Sequence, residues 1–152
     1  NKGVQLALDA VRDYLPNPLE KTTSAFDQKN NEEKITLTND ASKPFIGLAF
    51  KLEENKYGQL TYMRAYQGKI RRGDVLTHVN LNKKVKISRL VRMHSNEMEE
   101  IHEAQAGDIF AIFGIECSTG DTFTDNLQIT MESMHIPEPV MSLSIKPKKT
   151  DC

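Results

Sequence analysis

Residues 58–74 read GQLTYMRAYQGKIRRGD, and this stretch indicates the fold class. Leu60, Tyr62 and Tyr66 alternate with Thr, Met and Ala side chains, and a period of two is typical of a β-strand. Gly68 then interrupts the alternation, as expected where a chain turns tightly. The stretch therefore predicts a strand that ends in a glycine-based turn.

Other short strands follow on both sides of this one, at spacings of about ten residues. The predicted strands are 45–52, 60–66, 75–79, 85–87, 109–115, 122–124 and 141–146. The strands 75–79 and 85–87 flank a short polar turn and predict a hairpin. No helix is predicted between the strands, and the acidic segment 96–105 is expected to be a loop. The pattern predicts an all-β fold, a small antiparallel β-barrel of about six strands.

The beginning of the sequence predicts an amphipathic helix that ends at Pro16. Its apolar stripe at helical spacing consists of Val4, Leu8, Val11 and Leu15. One short helix is marginal in water by itself, so we expect a partner surface outside this sequence. The absence of an initial Met also suggests a segment of a longer protein.

Residues 17–44 are rich in Lys, Asn, Thr, Ser and Glu and contain few apolar side chains beyond Phe26, Ile35 and Leu37. Such a composition buries too little apolar surface to offset the entropy lost on ordering. We therefore expect a flexible linker or insertion here. The predicted organisation is a helix in 1–16, this linker in 17–44, the barrel in 45–136 and the start of a further domain in 137–152, with a C-terminal strand.

The 152 residues contain two cysteines, Cys117 and Cys152, which is too few for a disulfide framework and favours a reducing compartment. No apolar run approaches the roughly 18 residues that a membrane helix needs, so we expect no membrane partner. The sequence lacks the phosphate-binding GxxxxGK[ST] loop, the GxGxxG turn and the GxSxG elbow.

The residue types that carry catalysis and metal binding are scattered in this sequence. The four histidines are not paired at helical spacing, and neither cysteine has a CxxC partner. We expect solvated or capping histidines and a small buried role for Cys117. The carboxylates of Glu97, Glu99, Glu100 and Glu103 are expected to form a solvated acidic face. We predict no catalytic residue, metal or cofactor in this segment.

Charge is strongly segregated although the net charge is only −1. Residues 64–96, the basic block, contain nine basic residues and one acid, Asp74, whereas 97–125 contain eight acids and no Lys or Arg. Lys84 and Lys86 are expected to point away from the core, and no acid lies between Val75 and Asn96 in sequence. Phosphate backbones attract such a surface, and aromatic residues are not interleaved there, so we expect no base stacking. The RNA-binding candidates are Lys83, Lys84, Lys86, Arg89, Arg92, Arg71 and Arg72. The alternative is a solvated surface that binds nothing.

Three motifs give these patterns a family resemblance. The stretch 58–74 is similar to the GxLxxxRxxxGx[LI]xxGD segment in the second domain of translational GTPases. Residues 106–115 (AGDIFAIFGI) resemble the AGDI strand of that domain, and 118–123 (STGDTF) resemble its TGDTL turn. The three motifs occur in the family's order and spacing.

The flanking segments narrow the resemblance to elongation factor G. Residues 1–6 and 13–16 are similar to the helix that ends its GTP-binding domain. Residues 89–94 and 131–134 closely match the corresponding segments of elongation factor G, and residues 137–140 lead toward its third domain. The runs GIEC at 114–117 and FTD at 123–125 resemble the mitochondrial branch. Residues 20–43 fall outside the resemblance and are expected to be lineage-specific.

The glycine-aspartate pairs of these motifs have a structural explanation. Glycine adopts positive φ without strain, and an aspartate after it accepts hydrogen bonds from nearby backbone N–H groups. We therefore expect structural turn residues at these positions and no catalytic ones. They are Gly68, Gly73, Asp74, Gly107, Asp108, Gly120 and Asp121.

The resemblance implies a function for the intact parent. That protein would bind GTP and Mg²⁺ and hydrolyse GTP to drive tRNA–mRNA translocation on the ribosome of the mitochondrial matrix. This segment would dock on small-subunit ribosomal RNA, contact the neighbouring GTPase and third domains of its own chain, and remain monomeric. Two alternatives stay open: the sister factor that recycles mitochondrial ribosomes, and a purely structural interdomain module.

Overall fold

A computed structural model describes residues 2–55, 58–95, 97–132 and 141–144. The chain contains one helix and a succession of β-strands. In order these are α1 (Val4–Tyr14), β1 (Thr23–Asp27), β2 (Glu33–Leu37), β3 (Ile46–Asn55), β4 (Gly58–Gln67), β5 (Lys69–Arg71), β6 (Val75–His78), β7 (Lys83–Lys86), β8 (Leu90–His94), β9 (Glu97–Glu100), β10 (Glu103–Gln105), β11 (Ile109–Phe113), β12 (Thr122–Thr124) and β13 (Ile129–Met131).

The largest sheet has eight antiparallel strands in the order β7-β6-β12-β3-β4-β11-β8-β9. Its central pair, β3 and β4, runs from Ile46 opposite Gln67 to Asn55 opposite Gly58, with register shifts at Ile46/Gly47 and Ala49/Lys51. Such irregularities bend a strand and increase its twist. The lysine-rich β7 and the glutamate-rich β9 lie at the two edges of this sheet.

Backbone hydrogen bonds connect the ends of this sheet to the small β5–β10 sheet. The N–H of Gly73 donates to the carbonyl of Ile87 (2.8 Å), and the N–H of Ile87 donates to the carbonyl of Asp74 (2.8 Å). The N–H of Arg72 donates to the carbonyl of His102 (3.1 Å), close to the start of β10. The strands therefore curl into a barrel-like, antiparallel all-β fold, as the sequence predicts.

The strands enclose one main hydrophobic core. Phe45, Met63, Phe110, Ile112 and Phe123 are almost fully buried in it. Residues of this core come from strands near both edges of the large sheet, which is what a curled sheet requires. Each such side chain contributes roughly 1.5–3 kcal/mol through its removal from water.

The segment 17–44 contains two paired strands, which the prediction of a flexible linker or insertion did not include. β1 and β2 form an antiparallel hairpin, and β1 also pairs with β13. Ala25 and Leu37 are buried in a second apolar cluster with Ile46, Leu48 and Met131. Average composition was misleading because the few apolar residues of this segment face the barrel together, while its many polar residues stay in solvent.

The acidic segment 96–105 also differs from its predicted loop. Residues of this segment form β9, which pairs with β8, and β10, which pairs with β5. All four residues of β9 are exposed. An edge strand needs no alternation of apolar residues when both of its faces are exposed to solvent, so its sequence pattern resembles that of a loop. The hairpin predicted over 75–79 and 85–87 is confirmed as β6 and β7.

No strand is present in the described residues 141–144, so the predicted C-terminal strand is wrong over this range. Met141 and Leu143 are 76% and 86% exposed, and no described strand pairs with them. Alternation predicts a strand only where a neighbour accepts its hydrogen bonds. The remaining predicted positions, Ile145 and Lys146, lie outside the described residues.

The predicted N-terminal helix is present as α1. None of its residues is buried, and Val4, Leu8 and Val11 of its apolar stripe are exposed. No helix in the described ranges is long and apolar enough to cross a membrane.

Candidate nucleic-acid interface

The basic hairpin β6–β7 presents a row of lysines at the edge of the large sheet. In its register Lys86 lies opposite Val75, and Lys84 lies opposite Thr77. Val85 packs against the main core, which directs the flanking side chains of Lys84 and Lys86 to solvent. Lys83 is exposed as well. We call Lys83, Lys84 and Lys86 the lysine strand.

None of these lysines forms an ion pair with a carboxylate in the described part of the chain. A neighbouring surface cavity of about 380 Å³ is lined by the lysine strand together with Leu81 and residues 114–116. Glu116 is the one acid in this lining. The lysine strand is therefore an exposed positive surface beside a concave one.

Three arginines of the basic block have a different environment, because acids distant in sequence lie beside them in the fold. Nε of Arg71 lies 2.6 Å from Oε2 of Glu103, because β5 and β10 place these residues opposite each other. The hydrogen bond from Arg71 lowers the pKa of Glu103. Nε of Arg89 lies 2.7 Å from Oε1 of Glu100.

The carboxylate of Glu100 also reaches a second arginine. Nη1 of Arg72 lies 3.6 Å from Oε2 of Glu100, and Nε of Arg72 donates to the carbonyl of Ser88 (3.2 Å). Arg92, in contrast, lies opposite Glu99 in the β8–β9 register, and no ion pair joins it to a described carboxylate. The seven candidates thus divide into three unpaired lysines, three paired arginines and one half-buried arginine. Strand pairing, which the charge pattern could not show, brings the acidic segment against the basic one.

The three glycine-aspartate pairs form turns with the same hydrogen bonds. The carboxylates of Asp74, Asp108 and Asp121 each accept a hydrogen bond from the backbone N–H three residues earlier, at 2.7, 2.9 and 2.6 Å. The N–H of each aspartate donates back to the carbonyl of that same earlier residue. The preceding glycines have φ between 94° and 97°, a region that other residues rarely adopt.

Gly68 combines positive φ with close packing. Its φ is 72°, and a Cβ at this position would lie 2.5 Å from the carbonyl oxygen of Lys43 and 2.6 Å from Cα of Phe45. Gly73 also has positive φ, but a Cβ there would meet open space.

A buried polar contact, not anticipated from the sequence, anchors the β6–β7 hairpin. His78 is only 1% exposed, so of the two predicted roles, solvated or capping, it takes the capping one. Its Nδ1 accepts a hydrogen bond from the N–H of Leu81 (3.2 Å), which leaves the proton of the neutral ring on Nε2. Nε2 lies 3.0 Å from Oδ2 of Asp121 and donates to it.

A second hydrogen bond supports the same connection, from the N–H of Thr122 to Oδ1 of Asn80 (3.0 Å). The turn between β6 and β7, which leads into the lysine strand, is therefore held against the turn before β12. The only signal in the sequence was a histidine within an alternating strand, next to an Asn-rich turn.

In the described residues there is no group of three or more His, Cys, Asp or Glu side chains placed to hold a metal ion. Cys117 is half-buried and packs against the main core, and burial raises the pKa of its thiol. A thiol with a raised pKa is a poor nucleophile near neutral pH.

Comparison with known proteins agrees with the motifs. Residues 58–124 match the family described as elongation factor Tu domain 2. The chain is 57% identical over 152 residues to a protein named "Elongation factor G-1, mitochondrial" from Arabidopsis thaliana. This alignment covers 99% of the chain, so the expectation that residues 20–43 fall outside the resemblance is wrong. It covers 20% of the relative, so the chain spans about one fifth of that protein's length. We conclude that residues 58–124 belong to the elongation factor Tu domain 2 family, within a segment related to mitochondrial elongation factor G.

Proposed function

We propose that this chain is the ribosome-docking second domain of a mitochondrial-type elongation factor G. The lysine strand contacts phosphate groups of small-subunit ribosomal RNA, and such contacts position a protein without specifying base sequence. The observation that carries the proposal is the exposure of three unpaired lysines on one edge strand, in a segment related to mitochondrial elongation factor G.

The paired arginines have a structural role in this proposal. Arg71, Arg72 and Arg89 hold the acidic strands β9 and β10 against the basic block. A phosphate that approached them would compete with a carboxylate already in place. The lysine strand therefore contributes most of the attraction for RNA, and Arg92 and the paired arginines contribute less.

The rest of the proposal concerns the intact protein. It binds GTP and Mg²⁺ through a separate GTP-binding domain, hydrolyses GTP to drive translocation, and acts as a monomer in the mitochondrial matrix. The support is the relative's name. Residues 1–16 end the GTP-binding domain, and residues 137–152 begin the third domain.

A second function, as an interdomain module, is favoured by α1. Its exposed apolar residues include Val4, Leu8 and Val11, and a stripe of this kind is stable only against another apolar surface. We propose that the stripe packs on the GTP-binding domain of the same protein, so that the barrel both docks on RNA and transmits motion.

Directed cleavage of ribosomal RNA tests the docking proposal. In a chain with both native cysteines replaced by serine, an iron chelate is attached at Ser88→Cys, beside β7, or at Gln5→Cys, on α1. We expect cleavage of small-subunit RNA from position 88 and little from position 5. If position 88 gives no cleavage while the subunit is present in excess, the segment functions as a scaffold and not as an RNA-docking domain.

A further inference from the structure

A second basic site lies between the β1–β2 hairpin and the barrel, away from the lysine strand. It is a surface cavity of about 380 Å³. Its lining includes the basic side chains of Lys21, Lys34 and Arg64 and the consecutive residues Thr22, Thr23 and Ser24. Ammonium, guanidinium, hydroxyl and backbone N–H groups are the donors that proteins use to bind oxyanions.

Arg64 is held in position within this lining. Its guanidinium carbon lies 5.1 Å from the centre of the Tyr66 ring, in a cation–π contact. Its Nε is buried without a hydrogen-bond partner in the described residues, as is Oδ1 of Asn39 in an adjoining small cavity. The cation–π contact restricts the side chain while Nε–H stays without a partner, so less entropy is lost when a ligand binds.

The charge of the cavity is not balanced by nearby acids. Among the described residues, no ion pair joins Lys21, Lys34 or Arg64 to a carboxylate, in contrast to the pairs made by Arg71 and Arg89. The lining contains a single acid, Glu132, which is exposed. Like charges gathered without counter-charges are unfavourable until an anion joins them.

We propose that this cavity is an oxyanion site that takes a phosphate group, either free phosphate or a phosphodiester of an RNA strand. The segment before β1 then contributes Lys21, β2 contributes Lys34, and β4 of the barrel contributes Arg64. The site shares no residue with the lysine strand and does not depend on the function proposed above.

Titration of the 152-residue chain, followed by backbone amide NMR, tests the site. Inorganic phosphate is added at constant ionic strength, with sodium chloride as the matched salt. We expect saturable shifts at 21–24, 34 and 64 with a Kd of about 1–10 mM, weak as befits a small ion at a partly open surface. Absence of saturable shifts at these residues up to about 50 mM phosphate would overturn the proposal.

Variants separate the cavity from general surface charge. Lys21→Gln and Lys34→Gln are each expected to weaken phosphate binding about fivefold, the effect of removing one charge near the anion at a wet surface. Lys29→Gln, in the turn between β1 and β2, makes the same charge change away from the lining and is expected to leave the Kd unchanged. Equal effects of all three variants would show a diffuse field and contradict a site. Lys21 and Lys34 are both exposed, so replacing them is expected to leave the fold intact. The partly buried Arg64 is left unchanged for this reason.

A single-stranded RNA octamer distinguishes the two sources of phosphate. If the octamer shifts the same amide signals at a lower concentration than inorganic phosphate does, and Lys21→Gln weakens octamer binding, the site takes a phosphodiester. If inorganic phosphate binds and the octamer does not displace it, the site takes free phosphate. Octamer binding confined to the lysine strand, together with no phosphate binding at the cavity, would reject the site.

Discussion

Arg89 and Glu100 form an ion pair, with Nε of the arginine 2.7 Å from Oε1 of the glutamate, at the end of the sheet where β8 and β9 meet. Glu100 also lies 3.6 Å from Arg72. One carboxylate therefore offsets two of the arginines that charge segregation in the sequence identified as RNA contacts. What remains exposed and unpaired is the lysine strand.

Removal of this carboxylate is expected to strengthen RNA binding. In Glu100→Gln the side chains of Arg89 and Arg72 lose their counter-charge and become free to meet phosphates. We expect about two- to threefold tighter binding to small ribosomal subunits at moderate salt, measured by filter binding. Because the pairs are exposed, the melting temperature is expected to change little.

Glu97→Gln is the matched control for this prediction. It makes the same charge change on the same strand, but Glu97 forms no ion pair with an arginine in the described residues. If both variants tighten binding equally, only the overall charge matters and the arginine pairs are irrelevant to RNA.

Asp121 is expected to be important for stability. Its carboxylate accepts hydrogen bonds from the buried His78 ring and from the N–H of Ser118. Asp121→Ala leaves a buried ring N–H without a partner, and we expect a loss of about 3 kcal/mol in the free energy of unfolding. Urea denaturation measures this loss. Asp125→Ala, an exposed aspartate nearby, is expected to cost less than about 0.5 kcal/mol, and similar costs for the two variants would contradict the anchoring role.

Two glycines allow backbone strain to be separated from packing. Both Gly68 and Gly73 have positive φ, so alanine at either position is strained by about 1–2 kcal/mol. At Gly68 the new methyl group would also collide with the backbone of Lys43 and Phe45. We expect Gly68→Ala to destabilise the fold by at least about 2 kcal/mol more than Gly73→Ala in thermal unfolding. Equal losses would show that the close approach at Gly68 relaxes without cost.

Cys117 is expected to react slowly in the folded protein. Burial raises the pKa of its thiol, so the thiolate fraction at pH 8 is smaller than in the unfolded chain. In a Cys152→Ser background, we expect Ellman's reagent to modify Cys117 at least about tenfold more slowly in buffer than in 8 M urea. Equal rates would mean that the thiol is accessible and unperturbed.

The sequence predicted features that depend on neighbours along the chain. The alternation in 60–66 gave β4, and two short runs around a polar turn gave the hairpin β6–β7. It missed features that depend on distant partners. β1 pairs with β13, about a hundred residues later. The two strands contribute to one apolar cluster, but they supply too few apolar residues to be detected by composition.

The same limit applies to the candidate site. Exposure of Lys84 and Lys86 followed from the period of two, because Val85 between them had to face the core. The Arg71–Glu103 and Arg89–Glu100 pairs depend on strand register across the fold, which a count of charges does not contain. The contact of His78 with Asp121 joins the end of β6 to the turn before β12, 43 residues later, and no local pattern indicates it.

The central claim is that the lysine strand carries the attraction for RNA, and the affinity of the double variant Lys84→Glu/Lys86→Glu for small mitochondrial ribosomal subunits tests it most directly. Binding is measured across a salt series, with Lys2→Glu/Lys29→Glu as a control of equal charge outside the strand. We expect the strand variant to bind at least about tenfold more weakly at moderate salt, with a shallower salt slope, since each lost phosphate contact removes roughly 0.7–0.9 from it. Its free energy of unfolding is expected to stay within about 0.5 kcal/mol of the native value. An unchanged affinity and salt slope, or a loss no larger than that of the control, would contradict the claim.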